Sequence, residues 1–158
     1  MKEQLILGCH VGMSAPKYYL GSVEEAISYG ANTFMFYTGA PQNSIRKPIN
    51  ELKIPEGREL LKKHGIDETK LIVHAPYIIN PANKNREDLY EMSKKFIISE
   101  LQRTHAFGAK ILVLHPGAHV GHGSEEAIES LAKALDYIFE NDGTDVKIAI
   151  ETMAGKGT

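Results

Sequence analysis

Short apolar runs alternate with amphipathic stretches along this chain. Five runs are rich in Ile, Leu, Val or Phe, and they are continuous rather than alternating in polarity. Continuous apolar runs are typical of strands covered on both faces, as in a parallel sheet. The pattern therefore predicts five parallel strands, at residues 5–9, 33–37, 70–74, 110–115 and 147–151.

The segments between the first three runs have the start and stop signals of helices. Ser22 and Glu25 have the spacing of a capping box, and Gly30 is the expected end of that helix. Pro55 is expected in the first turn of a second helix, which Gly65 would end.

Two further helices are predicted in the second half of the chain. Asn85 is the expected N-cap of the third helix and Gly108 its end, while Ser124 is the expected N-cap of the fourth. Their apolar stripes are Leu89, Met92, Phe96, Ile97 and Leu101, and Ile128, Leu131, Leu135 and Ile138. Strict alternation of strands and helices predicts an α/β fold, as an open doubly wound sheet or a (β/α)₈ barrel.

Composition narrows the class of protein. The chain has 158 residues, of which 42% are hydrophobic and 24% charged, which excludes wholesale disorder. It has no run of eighteen apolar residues, so no membrane segment is expected, and its single cysteine, Cys9, fits the reducing cytoplasm. The net charge of −2 does not itself favour nucleic acid, although bound divalent metals would make a site locally positive.

The length also bears on the barrel. A complete (β/α)₈ barrel has about 250 residues, and the fifth apolar run comes close to the end of this sequence. We therefore expect residues 1–158 to be the N-terminal part of a single TIM-barrel domain, with about five strands and four helices.

Residues with chemically useful side chains stand where the predicted strands end. His10 follows the first run, His74 and His115 end the third and fourth, and Glu151 ends the fifth. The carboxyl ends of parallel strands meet at one edge, where active sites of α/β proteins lie. Two imidazoles and a carboxylate suit a catalytic zinc site, so His74, His115 and Glu151 are the candidate ligands. His10 is open to three interpretations: a ligand, a hydrogen-bond partner of a ligand, or a phosphate contact.

Two loops at the same edge have the composition of contact surfaces. The loop at residues 38–47, which contains Gln42, is long, polar and mildly basic. Tyr77 and Ile78 follow His74 and could enter between stacked bases, as apolar side chains do in kinked duplexes. Alternatively, Tyr77, Ile78 and Ile79 pack the loop onto the barrel. His119 is kept as a candidate substrate contact.

Taken together, these segments resemble endonuclease IV, the zinc-dependent apurinic/apyrimidinic endonuclease family of DNA base-excision repair. The matching segments are residues 8–11, 36–43, 74–80, 115–119 and 151–157. Each segment alone is a weak signal, but the five in this order are a specific one.

The resemblance implies a TIM barrel with three zinc ions that cleaves the phosphodiester 5′ to an abasic site and leaves a 3′-hydroxyl. His74 and His115 match two ligands of one zinc, and Glu151 matches the carboxylate that bridges it to a second zinc and serves catalysis. Tyr77 and Ile78 match side chains that enter the duplex. Gln42 stands where some members have an arginine, while His10 and His119 are further candidates for DNA contact.

The resemblance also implies that the family's other ligands lie beyond Thr158. This chain would then hold at most one complete zinc site, and we expect it to have little nuclease activity alone. The intact protein is expected to be a cytoplasmic monomer that acts on double-stranded DNA containing abasic sites.

Two alternatives remain open. A metal-dependent sugar isomerase or epimerase has the same barrel and similar residues at its mouth, but it does not account for the loop at residues 38–47. A non-catalytic fragment that binds zinc or damaged DNA is the second alternative.

Overall fold

The computed structural model of the protein describes residues 5–153. Its strands form one parallel sheet in the order β1-β2-β3-β4-β5. The strands are β1 (Gly8–His10), β2 (Thr33–Phe36), β3 (Ile72–His74), β4 (Ile111–Leu114) and β5 (Lys147–Ile150). A doubly wound sheet would reverse its strand order at a switch point. The sequential order is instead the winding of a barrel, which is one of the two architectures that the strand–helix alternation allowed.

A helix connects each pair of successive strands. The helices are α1 (Tyr18–Ser28), α2 (Ile54–Lys63), α3 (Glu87–Ala106) and α4 (Ser124–Asn141). Short 3₁₀ turns at Ile49–Glu51 and Glu68–Lys70 complete the connections. In the described part of the chain, no helix is both long and apolar enough to cross a membrane.

The core lies between the sheet and its helices. Phe34 and Phe36 of β2 contact Tyr19 of α1, and the Tyr19 and Phe36 rings lie 4.7 Å and 5.1 Å from Phe107, between ring centres. Leu112 of β4 is also fully buried. Because side chains alternate along a strand, Met35 lies on the opposite, half-buried face of the sheet.

Parallel register brings the strand ends into line. His10 is paired with Met35, His74 with Val113, and Leu114 with Ile150. The residue at the carboxyl end of each strand therefore falls at a common edge, which is the arrangement that the sequence predicted.

Several predicted helix ends are confirmed. Gly30, Gly65 and Gly108 follow α1, α2 and α3, and each has a positive φ, of 71°, 66° and 82°. Glycine adopts this left-handed conformation without the steric cost that a Cβ imposes.

The predicted caps of α1, α3 and α4 are wrong. Helix α1 begins at Tyr18, and Ser22 is buried within it, where its hydroxyl donates to the Gly12 carbonyl at 2.6 Å. Helix α3 begins at Glu87, and Arg86, at its N-cap position, makes no side-chain cap. Helix α4 begins at Ser124 itself, with Gly123 at the N-cap position. At α1, the hydrogen bond of Ser22 to the preceding loop overrides the local signal.

Some predicted apolar positions are also more exposed than expected. Residues 5–7, which were predicted to start the first strand, precede β1 and are exposed. Ile128 of α4 is 67% exposed, whereas Ile138 of the same predicted stripe is buried, together with Ser130 and Ala134.

Candidate functional site

Strands β3 and β5 bring His74 and Glu151 together at the carboxyl edge of the sheet. Nε2 of His74 lies 3.4 Å from Oε2 of Glu151. The Glu151 backbone N–H donates to the Leu114 carbonyl at 2.9 Å, which continues the β4–β5 ladder to the residue that carries the carboxylate.

A backbone carbonyl fixes the orientation of the His74 ring. Nδ1 of His74 lies 2.7 Å from the carbonyl oxygen of Ala75, which can only accept, so Nδ1 carries the proton. In the neutral ring, Nε2 is then an acceptor that faces the Glu151 carboxylate. Two facing acceptors repel each other unless a proton or a metal cation lies between them. Ligand histidines are commonly held in this way, with the second ring N–H donated to a carbonyl.

The spacing of this pair fits zinc. Zinc binds histidine nitrogen and carboxylate oxygen at about 2.0–2.2 Å, which in a tetrahedron separates two donor atoms by about 3.3 Å. The 3.4 Å between Nε2 and Oε2 matches one edge of that tetrahedron. Among residues 5–153, no group of three or more His, Cys, Asp or Glu side chains is arranged to hold a metal. The pair thus fits as part of a zinc site.

His115 lies on the neighbouring strand end with its ring in a different state. Its Nδ1 accepts from the Gly117 backbone N–H at 3.2 Å, so the proton of the neutral ring is on Nε2. Binding a metal through either nitrogen would break the Gly117 hydrogen bond, because Nδ1 would then bind the metal or carry the ring proton. Its assignment as a ligand stays a prediction.

His10, Tyr37 and His74 form a row of rings along the ends of β1, β2 and β3. The His10 and Tyr37 ring centres are 5.0 Å apart, and those of Tyr37 and His74 are 5.1 Å apart. Burial, reinforced by the nearby His74, lowers the pKa of His10, although Glu25 opposes the shift. Burial first, and then the Glu151 carboxylate, raises the pKa of Tyr37. His10 is therefore biased toward its neutral form and Tyr37 toward its protonated form.

Tyr37 is a residue of the site that the sequence reasoning missed. Its signal was its position, because it follows β2 just as Glu151 follows β5. A tyrosine after an apolar run is usually assigned to the core, and only the sheet register shows that it lies between two histidines.

The loop after β3 presents two apolar side chains to solvent. Tyr77 is 56% exposed and Ile78 is 36% exposed, whereas Ile79 is 2% exposed and anchors the segment. The packing alternative therefore holds for Ile79 alone, and Tyr77 and Ile78 are available for contact.

The remaining predicted contacts lie in two loops. Gln42 is exposed in the loop after β2. His119 is half-buried after β4, with its Nδ1 accepting from the Gly121 backbone N–H at 3.1 Å. In the predicted motif at residues 151–157, the last four residues lie outside the described part of the chain.

Asn80 connects the two loops that follow β3 and β4, and it was also missed. Its amide donates to the Ala118 carbonyl at 2.9 Å and accepts from the Ala118 N–H at 3.1 Å. A Cβ on Gly117 would collide with the Asn80 amide oxygen, so glycine allows this close approach. The segment that carries Tyr77 is thereby joined to the one that begins with His115.

Comparison with known proteins places this geometry in a family. The model of a family described as xylose isomerase-like TIM barrels matches residues 23–158. The chain belongs to that family. This membership confirms the barrel, which the strand pattern allowed and the resemblance implied.

Among the xylose isomerase-like barrels, the chain is similar in sequence to proteins named probable endonuclease 4. It is 53% identical to that of Listeria welshimeri over 154 residues, which cover 98% of this chain and 51% of the relative. It is 50% identical to that of Ureaplasma parvum over 157 residues, or 99% of this chain and 52% of the relative. These matches confirm the resemblance to endonuclease IV, and the chain spans about half the length of these relatives.

Solved structures agree on the fold. Endonuclease IV of Thermus thermophilus superposes with a TM-score of 0.72 at 23% identity, covering 96% of this chain and 54% of that one. A D-tagatose 3-epimerase-like protein superposes with a TM-score of 0.66 at 20% identity, covering 93% and 53%. At these identities the superpositions show the shared barrel and do not discriminate between activities.

Proposed function

We propose that this chain is the N-terminal part of a single-domain TIM-barrel endonuclease of DNA repair. The intact enzyme would hydrolyse the phosphodiester 5′ to apurinic or apyrimidinic sites in double-stranded DNA and leave a 3′-hydroxyl. We further propose that it is a cytoplasmic monomer that uses several zinc ions.

The observation that carries this proposal is the facing pair of His74 and Glu151 in a chain related to endonuclease 4. The pair matches the donor spacing of zinc, and its two residues fall in segments that the resemblance assigns to the metal centre. Similarity in sequence favours the endonuclease over a sugar epimerase, because the epimerase likeness is one of fold at 20% identity.

The chain's own residues would have distinct roles in binding metal at this edge. His74, held by Ala75, and Glu151 would bind one zinc with His115, and Glu151 would turn its second oxygen toward a neighbouring ion. Bound zinc supplies a nucleophile at neutral pH and neutralises charge on a phosphate. The described residues leave the rest of the ligand set to be supplied from outside them.

The DNA-contacting side chains would surround this edge. The exposed Tyr77 and Ile78 would enter the base stack at the lesion, where the missing base lowers the cost of unstacking. Gln42, His10 and His119 would contact the backbone or the lesion. Because the chain carries a net charge of −2, binding would depend on these local contacts and on metal charge rather than on a basic surface.

The experiment is an incision assay on a labelled duplex with one abasic site. The complete encoded polypeptide is expected to cut 5′ to the site after zinc loading and to leave an end that a polymerase extends. His74→Ala is expected to abolish incision, while His122→Ala, at an exposed loop histidine, leaves it unchanged. Incision that survives both His74→Ala and chelation of metal would overturn the proposal.

The same preparation separates the alternatives. Epimerisation of a ketohexose without cleavage of DNA would favour the sugar enzyme. The isolated 158-residue chain is expected to bind about one zinc and to cut poorly, so robust incision by it would contradict our assignment of it as an inactive part. Zinc and DNA binding without incision by the complete polypeptide would favour the non-catalytic alternative.

A further inference from the structure

The loop after β2 packs against buried charged side chains. We call residues 38–47 the β2 loop. Glu100 and Arg103 of α3 are 0% and 5% exposed, and the side chain of Arg46, within the loop, is 8% exposed. Burying charge is costly, and apolar side chains of similar volume would fill a helix–loop interface at least as stably. Stability alone therefore does not explain this arrangement.

Helix α3 holds the β2 loop at both ends. Arg103 donates from Nη2 to the Thr38 carbonyl and from Nη1 to the Lys47 carbonyl, each at 2.9 Å. Nε of Arg103 also donates to the Thr38 hydroxyl at 3.1 Å, and that hydroxyl donates to Glu100 at 2.7 Å. One guanidinium thus bridges the first and last residues of the loop.

Arg46 holds the same loop from within. Its Nε donates to Oε1 of Glu100 at 2.7 Å. Its Nη1 lies 3.0–3.2 Å from three loop carbonyls, and its guanidinium lies 4.9 Å from the centre of the Phe96 ring. A Cβ on Gly39 would come within 3.0 Å of this side chain, so glycine leaves the room that Arg46 occupies.

The outcome is a loop whose Arg46 points inward and whose candidate contact residues point outward. Gln42 and Ser44 are exposed, and Ile45 is 80% exposed. The loop follows β2 at the same edge as Tyr37, whose ring touches that of His74. It therefore stands beside the candidate metal site.

We propose that Arg103, Glu100 and Arg46 are positioning residues that pre-form the β2 loop for contact with DNA. This inference rests on the proposed endonuclease function and adds the residues that shape one of its recognition surfaces. We call these three residues the clamp. A loop already fixed in its bound conformation loses less entropy on binding, so the clamp raises the affinity for DNA without contacting the DNA.

Arg103→Lys in the complete encoded polypeptide tests the clamp. Lysine keeps the charge, but one ammonium cannot span the Thr38 and Lys47 carbonyls as the guanidinium fork does. We expect KM for an abasic duplex to rise about tenfold while kcat changes less than twofold, in line with the loss of interactions used for binding alone. Ile97→Val is the matched control, because Ile97 is fully buried on the same helix and its side chain has no hydrogen bond to offer the loop.

A double-mutant cycle and hydrogen exchange distinguish positioning from loss of stability. Gln42→Ala should weaken binding in the wild-type background and have little further effect beside Arg103→Lys, because a loop that is no longer held does not present Gln42. Amides of residues 39–46 should exchange faster in Arg103→Lys than in Ile97→Val. If Arg103→Lys fails to fold, Thr38→Val takes its place in the same measurements, because it removes only the hydroxyl that bonds both Glu100 and Arg103.

The outcomes separate this inference from the proposed function. Absence of incision by the zinc-loaded wild type overturns the proposed function, and the exchange comparison still decides whether the clamp holds the loop. Incision by the wild type with KM and exchange in Arg103→Lys equal to those in Ile97→Val overturns the inference. So does a fall in kcat with KM unchanged, or strict additivity with Gln42→Ala.

Discussion

The two ends of the parallel strands differ in whether their polar side chains are paired with one another. At the amino end, before β4 and β5, Asp145 accepts from Lys110 at 2.6 Å and lies 3.1 Å from Nδ1 of His105. At the carboxyl end, His74 and Glu151 face each other as two acceptors. One end satisfies its charges internally, and the other leaves a pair that needs a proton or a metal cation between its two facing atoms.

The same contrast extends to the neighbouring segments. At the amino end, the Asn32 side chain accepts from the Leu7 N–H and donates to the Leu5 carbonyl, which fixes the chain before β1. At the carboxyl end, Tyr77 and Ile78 are left exposed on an anchored segment. Because residues 5–7 are also exposed, the two ends differ in how their polar groups are paired rather than in exposed apolar surface.

The buried clamp beneath the β2 loop gives the largest expected effect at the carboxyl end. Glu100→Ala leaves Arg46 and Arg103 buried without their carboxylate, and loss of one partner of a buried pair costs about 3–5 kcal/mol. We expect the free energy of unfolding, measured by urea denaturation, to fall by about that amount. Glu140→Ala, at an exposed position on α4, is the control and should change it by less than about 0.5 kcal/mol. Equal changes in the free energy of unfolding for the two substitutions would show that the Glu100 carboxylate does not stabilise the buried arginines as expected.

Glu151→Gln separates function from stability at the same end. The amide keeps the shape of the carboxylate but removes its charge, so we expect zinc affinity to fall at least about a hundredfold, or about 2.7 kcal/mol. Stability in the absence of metal should not decrease, because the amide can donate to Nε2 of His74, where the carboxylate can only accept. Competition titration with a chromogenic chelator measures the first quantity and thermal unfolding the second. A variant that binds zinc as the wild type does would remove Glu151 from the ligand set.

The carboxyl edge could be predicted from the sequence because strand periodicity and strand ends are local signals. His10, His74 and Glu151 each follow an apolar run, and parallel register then brings them to one edge without further information. Strict alternation of strands and helices limited the fold to a doubly wound sheet or a barrel, and the resemblance implied the barrel.

The clamp and the true helix starts could not be predicted, because they depend on contacts between distant residues. Ser22 carries a capping signal, yet it lies inside α1 and its hydroxyl donates to the carbonyl of Gly12, ten positions earlier in the chain. Glu100 stands 62 residues from Thr38, and only the packing of α3 under the β2 loop joins them. Its one local signal was a charge three residues after Ile97, on the buried side of an amphipathic helix.

Asn80→Ala tests whether the two loops of the carboxyl end act as a unit. The substitution removes the amide that pairs with both backbone groups of Ala118, so we expect a loss of about 1–2 kcal/mol in unfolding free energy. Hydrogen exchange of the Ala118 amide should rise in parallel. Asn85→Ala is the matched control, because Asn85 is exposed and makes no cap on α3, and it should leave stability unchanged. A loss at Asn85 instead would restore the capping role that the sequence predicted.

The smallest effect is expected at the amino end, where Asp145→Asn removes one exposed carboxylate. Hydrogen bonds from Lys110, and then from His105, hold the pKa of Asp145 below its ordinary value of 3.8. A lowered pKa in the folded state contributes stability that is fully present above 3.8 and is lost as the pH falls through the folded value. The variant should therefore melt slightly below the wild type at neutral pH, and the two Tm values should converge as the pH falls below 3.8. Asp136→Asn, another exposed carboxylate, controls for the change in net charge. A difference in Tm that widens as the pH falls would contradict the sign of this linkage. A large difference in Tm at neutral pH would show that Asp145 contributes more to stability than an exposed surface ion pair does, and the contrast between the two ends would then fail.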